Sequence, residues 1–253
     1  MISNGKFYES QFEEATIELL REAHWQYAFG DDIHRKYTDP LIEEDLRNFL
    51  TVQYKDKNLT TSEMDSIVAN LRNTGGQNDY YALRNAFLLY RDGYDFAYSD
   101  GRDNPFRLEY IDFEHPDHNI FRCVNQFVME QGRENRRPDI LLFINGIPVC
   151  IIELKNPTKQ NATIHDAHTQ ICTRYMRDIP ALLKYCALAV ISDGAKNALG
   201  TTYTPFEFFY EWKKIENEDK AGKGLDTLRT LIRGALSPER ILEILRDYVY
   251  FPD

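Results

Sequence analysis

Apolar side chains recur at helical spacing in the first third of the chain, with polar residues between them. One apolar stripe runs along residues 12–23, and a second runs along residues 42–50, where Asp39-Pro40 predicts the start of the helix. Residues 62–71 and 80–90 predict two further helices, and the segment NTGGQND between them predicts a break. We therefore expect a helical N-terminal part.

The pattern changes period after residue 105. Segments 106–113 and 119–130 are rich in β-branched and aromatic residues and predict strands. The runs DILLFI and IPVCIIEL predict two more strands, joined through Asn145-Gly146, which is a strong signal for a two-residue hairpin turn. The middle of the chain should therefore contribute most of a sheet.

Helix and strand alternate in the rest of the chain. An amphipathic segment from about residue 163 to 176 predicts a helix, and the apolar run KYCALAVISDG predicts a strand that is buried on both faces. FEFFYEW (206–212) predicts a further strand. Near the C-terminus, Ser237 is a candidate N-cap residue, with Pro238 in the first turn of the helix that follows.

These elements predict an α/β protein with a mixed β-sheet flanked by helices. We expect a main domain at residues 1–216, made of a helical part (1–95) and a sheet core (105–213). Residues 217–253 should form a charged, Gly-containing linker and a C-terminal helical appendage.

Composition places the chain among ordinary soluble globular proteins. Its 253 residues are 43% hydrophobic and 28% charged, which is enough for a sizeable core. There is no apolar run of the roughly 18 residues that a membrane helix needs, and the N-terminus lacks the layout of a signal peptide. The four cysteines show no Cys-x-x-Cys spacing, so we expect them to be reduced. A cytoplasmic protein without a membrane partner is predicted.

The net charge of −10 argues against a protein that coats nucleic acid unaided. It does not exclude a nuclease, because a carboxylate metal site itself adds negative charge. The segment GRENRRP is a local basic cluster in which Arg136 and Arg137 are candidate contacts for DNA phosphates. A plain solvated charge cluster is an equal alternative.

Three charged residues lie at the ends of the predicted hairpin strands. Asp139 precedes the first strand, and Glu153 and Lys155 end the second, although buried strands normally exclude charge. A two-residue turn would bring Asp139 opposite Ile152, and a three-residue loop would bring it opposite Glu153. Strand alternation places Glu153 and Lys155 on one face.

Two neighbouring carboxylates repel each other unless a cation lies between them, and Mg²⁺ suits oxygen ligands. The main-chain carbonyl of Leu154 could add a third ligand. Lys155 could orient a water or neutralise charge on a phosphate, so the implied chemistry is metal-assisted phosphodiester hydrolysis. The alternative is a simple salt bridge between Lys155 and one of the two carboxylates.

Other clusters have simpler interpretations. EHPDH (114–118) contains Glu114, His115, Asp117 and His118, which could form a metal cluster, but a solvated turn between two strands is the better interpretation. His165 and His168 lie three positions apart on a predicted helix without an evident third ligand, so we expect one exposed and one packed histidine. FEFFYEW could stack on bases, but its alternation with Glu207 and Glu211 favours a half-buried strand.

At the hairpin, the sequence resembles the PD-(D/E)xK nucleases, and more narrowly the N-terminal nuclease domain of the R subunit of type I restriction enzymes. RRPDILLFINGIPVCIIELKNP is similar to that family's signature throughout, and the segments FEEATIELLREAHWQYAFGDDI, NQFVME, TQICTRYMRDIPALLKYCALAVISDG and LIRGALSPERILEILRDYVYF extend the resemblance over nearly the whole chain. The resemblance implies a restriction-endonuclease-like core. It also implies metal-binding carboxylates at Asp139 and Glu153, a catalytic lysine at Lys155, and Mg²⁺ as cofactor with Mn²⁺ as a substitute.

The family resemblance also implies accessory residues. Its Gln-x-x-x-Tyr motif follows the hairpin, and here Gln170 and Tyr175 are the nearest match, one residue too far apart. In many relatives an acidic residue of the first helix approaches the metal, which makes Glu9 and Glu13 candidates beside the interpretation that they are solvent-facing charges.

The full R subunit of that family continues into an ATP-driven motor that translocates DNA. This chain has no Gly-x-x-x-x-Gly-Lys-Ser/Thr phosphate loop, so we expect an excised domain that does not itself bind ATP. The implied partners are duplex DNA and the methylation and specificity subunits. Two alternatives stay open: a free-standing repair or defence nuclease of the same fold, and a catalytically silent docking module.

Overall fold

Helices dominate the N-terminal third of the protein. The computed structural model describes residues 4–155, 163–215 and 224–251, with side chains from residue 10 onward. The N-terminal helices are α1 (Asn4–Glu22), α2 (Glu43–Gln53), α3 (Thr61–Asn73) and α4 (Asp79–Asp92), which confirms the four predicted helices. Helix α2 begins later than Asp39-Pro40 because the Asp39 carboxylate accepts the N–H of Leu41 at 3.1 Å and holds a turn there.

One mixed sheet forms the centre of the molecule. The strands are β1 (Gln26–Phe29), β2 (Tyr94–Phe96), β3 (Phe106–Leu108), β4 (Phe121–Asn125), β5 (Met129–Gln131), β6 (Glu134–Arg136), β7 (Ile140–Ile144), β8 (Ile147–Leu154), β9 (Leu188–Ser192) and β10 (Asn197–Thr201). The central sheet has the order β1-β4-β7-β8-β9-β10, while β2 with β3 and β5 with β6 form two small sheets. Pairs β1–β4 and β8–β9 are parallel and the other central pairs are antiparallel, which confirms a mixed α/β architecture.

Three strand predictions need correction. Only β3 forms within residues 106–113, and it pairs with β2 outside the central sheet. Residues 119–130 are divided between β4 and β5, because Gln126 adopts a left-handed φ of 55° that interrupts the strand. FEFFYEW begins as a 3-10 turn (Phe206–Phe208), and beyond it only Tyr210 bridges to the sheet.

Strand β1 was not predicted, and it forms one edge of the central sheet inside the part of the chain expected to be helical. It has only four residues, and its partner β4 lies almost a hundred positions away along the chain. A short strand of this kind depends on long-range pairing, so its own residues carry little local signal.

The central sheet is buried on both faces, as KYCALAVISDG predicted for β9. On one face, Leu142 and Ile152 contact a large core that includes residues of α1 to α4. On the other face, Leu141 and Ile151 contact a second core built around residues 164–183. Because side chains alternate along a strand, Glu153 lies on the same face as Ile151.

The segment after β8 is helical, as predicted, but not uniformly so. It contains α5 (Ile164–Thr169), a π-helical turn (Gln170–Tyr175), α6 (Met176–Asp178) and α7 (Pro180–Leu183). A π turn holds one more residue than an α turn and often occurs at functional sites. This irregularity lies directly beside the candidate site.

The C-terminal helices belong to the main core, which corrects the prediction of an appendage. They are α8 (Leu225–Ala235), α9 (Pro238–Glu243) and a π-helical turn (Ile244–Tyr248), with Ser237 and Pro238 at the predicted first positions of α9. Their buried side chains pack into the same core as α1 and the sheet. The predicted linker at residues 217–224 lies outside the described residues except for Gly224, which directly precedes α8. The domain boundary at 216 stays a prediction.

The hairpin turn is anchored to the start of α2. Asn145 and Gly146 have φ angles of 50° and 77°, as a two-residue hairpin turn requires. The carbonyl of Gly146 accepts the N–H of Ile42 at 2.9 Å, and a Cβ on Gly146 would lie 2.1 Å from the Ile42 carbonyl oxygen. Only glycine fits this close approach. Across the described ranges, no helix combines the length and apolar character needed to cross a membrane.

Candidate active site

A β-bulge sets the register of the hairpin strands that carry the charged residues. The two-residue turn pairs Ile144 with Ile147, but Val149 has no partner on β7, so that Ile140 lies opposite Ile152. The bulge shifts the pairing by one residue, and continuing this register brings Asp139 opposite Glu153. The turn was predicted correctly, while the resulting register is the one expected for the longer loop.

Asp139 is held by the main chain of the neighbouring strand. Its Oδ2 atom accepts the N–H of Leu154 at 2.7 Å, and its side chain is half-buried. A hydrogen bond from a main-chain N–H favours the ionised carboxylate. Asp139 is therefore fixed beside the end of β8, next to Glu153.

Glu153 is a buried carboxylate with one unsatisfied oxygen. It is 1% exposed, and its Oε1 accepts a hydrogen bond from Lys155 Nζ at 2.7 Å. Burial raises the pKa of Glu153 to about 8; the negative charge of Asp139 adds to this rise, and Lys155 opposes it. Within the described ranges, no donor meets hydrogen-bond geometry at Oε2, although the Tyr175 hydroxyl lies close enough to Glu153 to lower the pKa of the carboxyl.

The unsatisfied oxygen is what a bound cation would require. A buried acceptor without a donor is costly, and a neighbouring carboxylate adds to the local negative charge. Asp139 and Glu153 thus offer hard oxygen ligands of the kind that Mg²⁺ or Mn²⁺ takes. The residues present fit a divalent cation, with the Leu154 carbonyl remaining a prediction as an additional ligand.

A chain of side-chain hydrogen bonds extends from Glu153 into the following helix. Lys155 Nζ donates to Gln170 Oε1 at 2.7 Å, and Gln170 Nε2 donates to the Tyr175 hydroxyl at 2.7 Å. Burial raises the pKa of Tyr175, with the charge of Glu153 as the next cause, so its hydroxyl keeps its proton. Gln170 is therefore in contact with the lysine, and Tyr175 is linked to it through Gln170.

The π-helical turn explains why the spacing of Gln170 and Tyr175 departs from Gln-x-x-x-Tyr. In an α-helix, residues four apart share a face, and one inserted residue would turn the second side chain away by about 100°. The π turn runs from Gln170 to Tyr175 and absorbs the additional residue. Both side chains consequently face each other despite the longer spacing.

A cleft of about 770 Å³ opens beside Asp139. Glu13 lies in its wall, where it accepts hydrogen bonds from Asn125 Nδ2 at 2.7 Å and from Gln126 Nε2 at 2.9 Å. The candidate acid of the first helix is thus in the same cleft as Asp139. Glu9 belongs to α1, but its side chain lies outside the described residues.

Sequence reasoning missed Asn125, Gln126 and Tyr27 as residues of this cleft. Tyr27 donates from its hydroxyl to Asn125 Oδ1 at 3.0 Å, and the left-handed Gln126 donates its main-chain N–H to the Asp139 carbonyl at 3.4 Å. The polar pair at the end of β4, inside the segment NQFVME, is a signal that could have indicated Asn125 and Gln126, whereas Tyr27 had no comparable signal.

The two candidate arginines have different surroundings. Arg136 forms an ion pair with the buried Asp178 at 2.7 Å, which joins β6 to α6, and a second one with Glu134 of its own strand at 2.5 Å. Arg137 is exposed in the wall of the cleft that contains Asp139. The structure therefore favours a structural contact for Arg136 and leaves Arg137 as the better candidate for a phosphate.

The histidines at 165 and 168 and those of EHPDH also have different surroundings. His165 is exposed, whereas His168 is partly buried and its Nε2 lies 3.0 Å from the Thr204 carbonyl oxygen. EHPDH does form a turn, but its two histidines gather on the preceding Asp112 rather than on Glu114.

Comparisons with known proteins agree on one family. A family model described as Type I restriction enzyme R protein N terminus matches residues 6–208. The Type I restriction enzyme HindI endonuclease subunit of Haemophilus influenzae is 29% identical over 255 residues, which cover 96% of this chain and 24% of that subunit.

Two further relatives have similar names. The Putative type I restriction enzyme MjaIXP endonuclease subunit of Methanocaldococcus jannaschii is 28% identical, covering 94% of this chain and 25% of the relative. The Type I restriction enzyme EcoprrI endonuclease subunit of Escherichia coli is 31% identical, covering 49% of this chain and 40% of the relative. The chain spans about a quarter of the length of the Haemophilus and Methanocaldococcus relatives.

Proposed function

Because this chain belongs to the family of type I restriction enzyme R protein N-terminal domains, we propose that it is a metal-dependent DNA endonuclease domain of the PD-(D/E)xK type. It hydrolyses phosphodiester bonds of duplex DNA without its own sequence preference. The names of the relatives, which are endonuclease subunits of type I restriction enzymes, support the nuclease role.

The observation that carries this proposal is the pairing of Asp139 with Glu153 at the end of the bulged hairpin. Glu153 is buried, has one oxygen without a donor among the described residues, and faces Lys155 at 2.7 Å. A plain salt bridge would satisfy Lys155, but it would leave two neighbouring carboxylates sharing one ammonium, with Oε2 of Glu153 buried and without a donor in hydrogen-bond geometry.

Each residue has a defined role in this proposal. Asp139 and Glu153 hold Mg²⁺, for which Mn²⁺ can substitute, and when bound the cation supplies Lewis acidity toward a phosphate oxygen and acidifies water. Lys155 offsets negative charge that develops on the phosphate. Gln170 keeps the Lys155 ammonium directed at the carboxylates through the 2.7 Å hydrogen bond, and Tyr175 in turn orients Gln170.

The proposed context is a larger assembly. ATP-driven translocation belongs to a motor that residues 1–253 do not supply, and methylation and specificity subunits act as partners in the cytoplasm. The acidic chain, with a net charge of −10, needs DNA delivered to it, because affinity for a duplex follows the number of phosphates neutralised.

Titration calorimetry with Mg²⁺ and Mn²⁺ tests the metal site on this chain. We expect binding to the wild type and its loss in Asp139→Asn and Glu153→Gln, with both folds checked by circular dichroism. Glu14→Gln is the matched control, because Glu14 is an exposed carboxylate of the same cleft and should leave binding unchanged. Equal binding by both site variants and the wild type would refute the assignment.

Cleavage in the reassembled restriction complex tests the chemistry. Lys155→Ala should retain metal binding and translocation while cleavage is lost. Cleavage that survives in Asp139→Asn, Glu153→Gln and Lys155→Ala would overturn the nuclease assignment. Robust cutting of DNA by the isolated chain would instead favour a free-standing nuclease. A folded wild type that neither binds metal nor supports cleavage would favour a docking module.

A further inference from the structure

A cluster of one carboxylate and two imidazoles lies at the other end of the hairpin from Asp139 and Glu153. It belongs to the connection between β3 and β4 and contains Asp112, His115 and His118. Asn119 joins it to the hairpin turn, because Asn119 Oδ1 accepts hydrogen bonds from the Asp112 main chain at 2.9 Å and from Asn145 Nδ2 at 2.8 Å.

The three side chains bring their ligand atoms within 4.8 Å of one another. Oδ2 of Asp112 is 2.9 Å from Nδ1 of His118 and 3.4 Å from Nδ1 of His115. The two rings stack with centroids 4.8 Å apart. Ligands about 2.0–2.1 Å from a tetrahedral Zn²⁺ are roughly 3.3 Å from each other. The two separations from Asp112 Oδ2 are compatible with that arrangement.

The carboxylate is fixed in place before any ion binds. Asp112 is 4% exposed, and its Oδ1 accepts the main-chain N–H groups of Glu114 at 3.0 Å and of His115 at 2.9 Å. Gln53 Nε2 donates to Oδ2 at 3.1 Å. Such outer contacts orient a metal ligand, and they leave Oδ2 facing the imidazoles.

The histidines are accessible from solvent. Their side chains are 62% and 48% exposed for His115 and His118, so an ion can reach the cluster and water can complete its coordination. A purely hydrogen-bonded cluster would need the Nδ1–H tautomer on His118, whose proton would share Oδ2 of Asp112 with the Gln53 amide. A cation uses the ring lone pairs instead.

We propose that Asp112, His115 and His118 form a site for a divalent transition metal of the Zn²⁺ class. Imidazole nitrogen favours Zn²⁺, Co²⁺ or Ni²⁺ over Mg²⁺. The ligand set therefore distinguishes this site from the carboxylate pair at the other end of β7. A bound ion would tie the β3–β4 connection to the hairpin turn and to α2, which carries Gln53.

Zinc titration of the untagged, chelator-treated chain tests this proposal, with the visible absorption of Co²⁺ as a second readout for tetrahedral coordination. One equivalent should bind and raise the melting temperature. His115→Ala and His118→Ala should each weaken binding by at least roughly tenfold, since even the loss of an outer partner has that effect. His165→Ala is the matched control, because His165 is also an exposed histidine.

Asp139→Asn should leave zinc binding intact, which separates this site from the proposed nuclease site. Zinc binding that is unchanged in both His115→Ala and His118→Ala would overturn the proposal. So would a folded wild type that takes up no Zn²⁺ and shows no tetrahedral Co²⁺ spectrum.

Discussion

The indole N–H of Trp25 donates to the carbonyl of Leu236 at 2.7 Å, and this buried hydrogen bond joins residues 211 positions apart. Trp25 immediately precedes β1, and Leu236 is the C-cap residue of α8, so the N-terminal and C-terminal parts of the chain share one core. A chain that ends at residue 215 should therefore lose cooperative urea unfolding, because it removes buried apolar residues of α8 and α9.

A matched control for this truncation is the double variant Tyr248→Ser and Tyr250→Ser. These side chains are 72% and 80% exposed, so we expect the free energy of unfolding to change by less than about 0.5 kcal/mol. A truncated chain that unfolds cooperatively at the same urea concentration as the wild type would show that the C-terminal helices are a separate unit.

Deleting Thr173 tests the role of the π-helical turn. Thr173 is exposed, and its deletion restores Gln-x-x-x-Tyr, in which Gln170 and Tyr175 face each other on an ordinary α-helix. We expect a folded protein whose free energy of unfolding stays within about 1 kcal/mol of the wild type. In the restriction complex, cleavage should be retained.

An alanine inserted after Thr173 is the control for this deletion. It rotates Tyr175 by about 100° relative to Gln170 and should lower both stability and cleavage. If the deletion were as damaging as the insertion, the π turn would not be what keeps the two side chains together.

Arg136→Ala and Arg137→Ala should affect different properties, the first stability and the second DNA binding. Loss of Arg136 leaves Asp178 without one of its cations, so the urea midpoint should fall. Arg137 is exposed in the cleft, so its loss should leave the urea midpoint unchanged and weaken DNA binding. The slope of log affinity against log salt concentration should fall by about the value of one phosphate contact. Urea unfolding and DNA binding at several salt concentrations measure the two effects, and reversed results would exchange the two assignments.

Glu63 should make stability depend on pH in acid. Hydrogen bonds from Arg102 and Thr60 lower the pKa of Glu63 from 4.5 to about 2. Because the folded state holds the ionised form, its contribution is present above about pH 4.5 and is lost as the pH falls toward 2. At pH 7 the wild type should therefore unfold at a higher urea concentration than Glu63→Gln. At about pH 3 the two urea midpoints should lie closer together.

Glu14→Gln is the comparison for this measurement, because Glu14 is exposed. Its urea midpoint should differ from the wild type by a similar amount at both pH values. A Glu63→Gln variant with a constant deficit across this range would place the stabilisation in contacts other than the ionised carboxylate.

The parts of the molecule that were predictable are those encoded by neighbouring residues. Asn145-Gly146 and the apolar runs around it predict the hairpin, and with it the approach of Asp139 to Glu153. The bulge at Val149 was not predictable in the same way, although Pro148, which cannot donate a main-chain hydrogen bond, lies next to it. Register there is settled jointly by β4, β8 and β9, which come from distant segments.

The residues of the cleft and the π turn were harder to predict for a related reason. Asn125, Gln126 and Tyr27 approach Asp139 only after β1 and β4 have paired across the sequence. For the π turn, the one indication was the mismatch in the spacing of Gln170 and Tyr175. Helical propensity does not distinguish an α turn from a π turn, so this mismatch could not be resolved before the side-chain contacts were seen.

Strand β7 begins at Ile140, while β8 continues to Leu154 beside β9. The main-chain N–H of Leu154 is consequently taken by the carboxylate of Asp139, where a longer neighbouring strand would have offered a carbonyl. Had β7 begun two residues earlier, its main chain would have paired with Leu154, and the Asp139 side chain would have lost this hydrogen bond. The late start of β7 thus leaves the Leu154 N–H available to fix the Asp139 carboxylate beside Glu153 at the edge of the cleft.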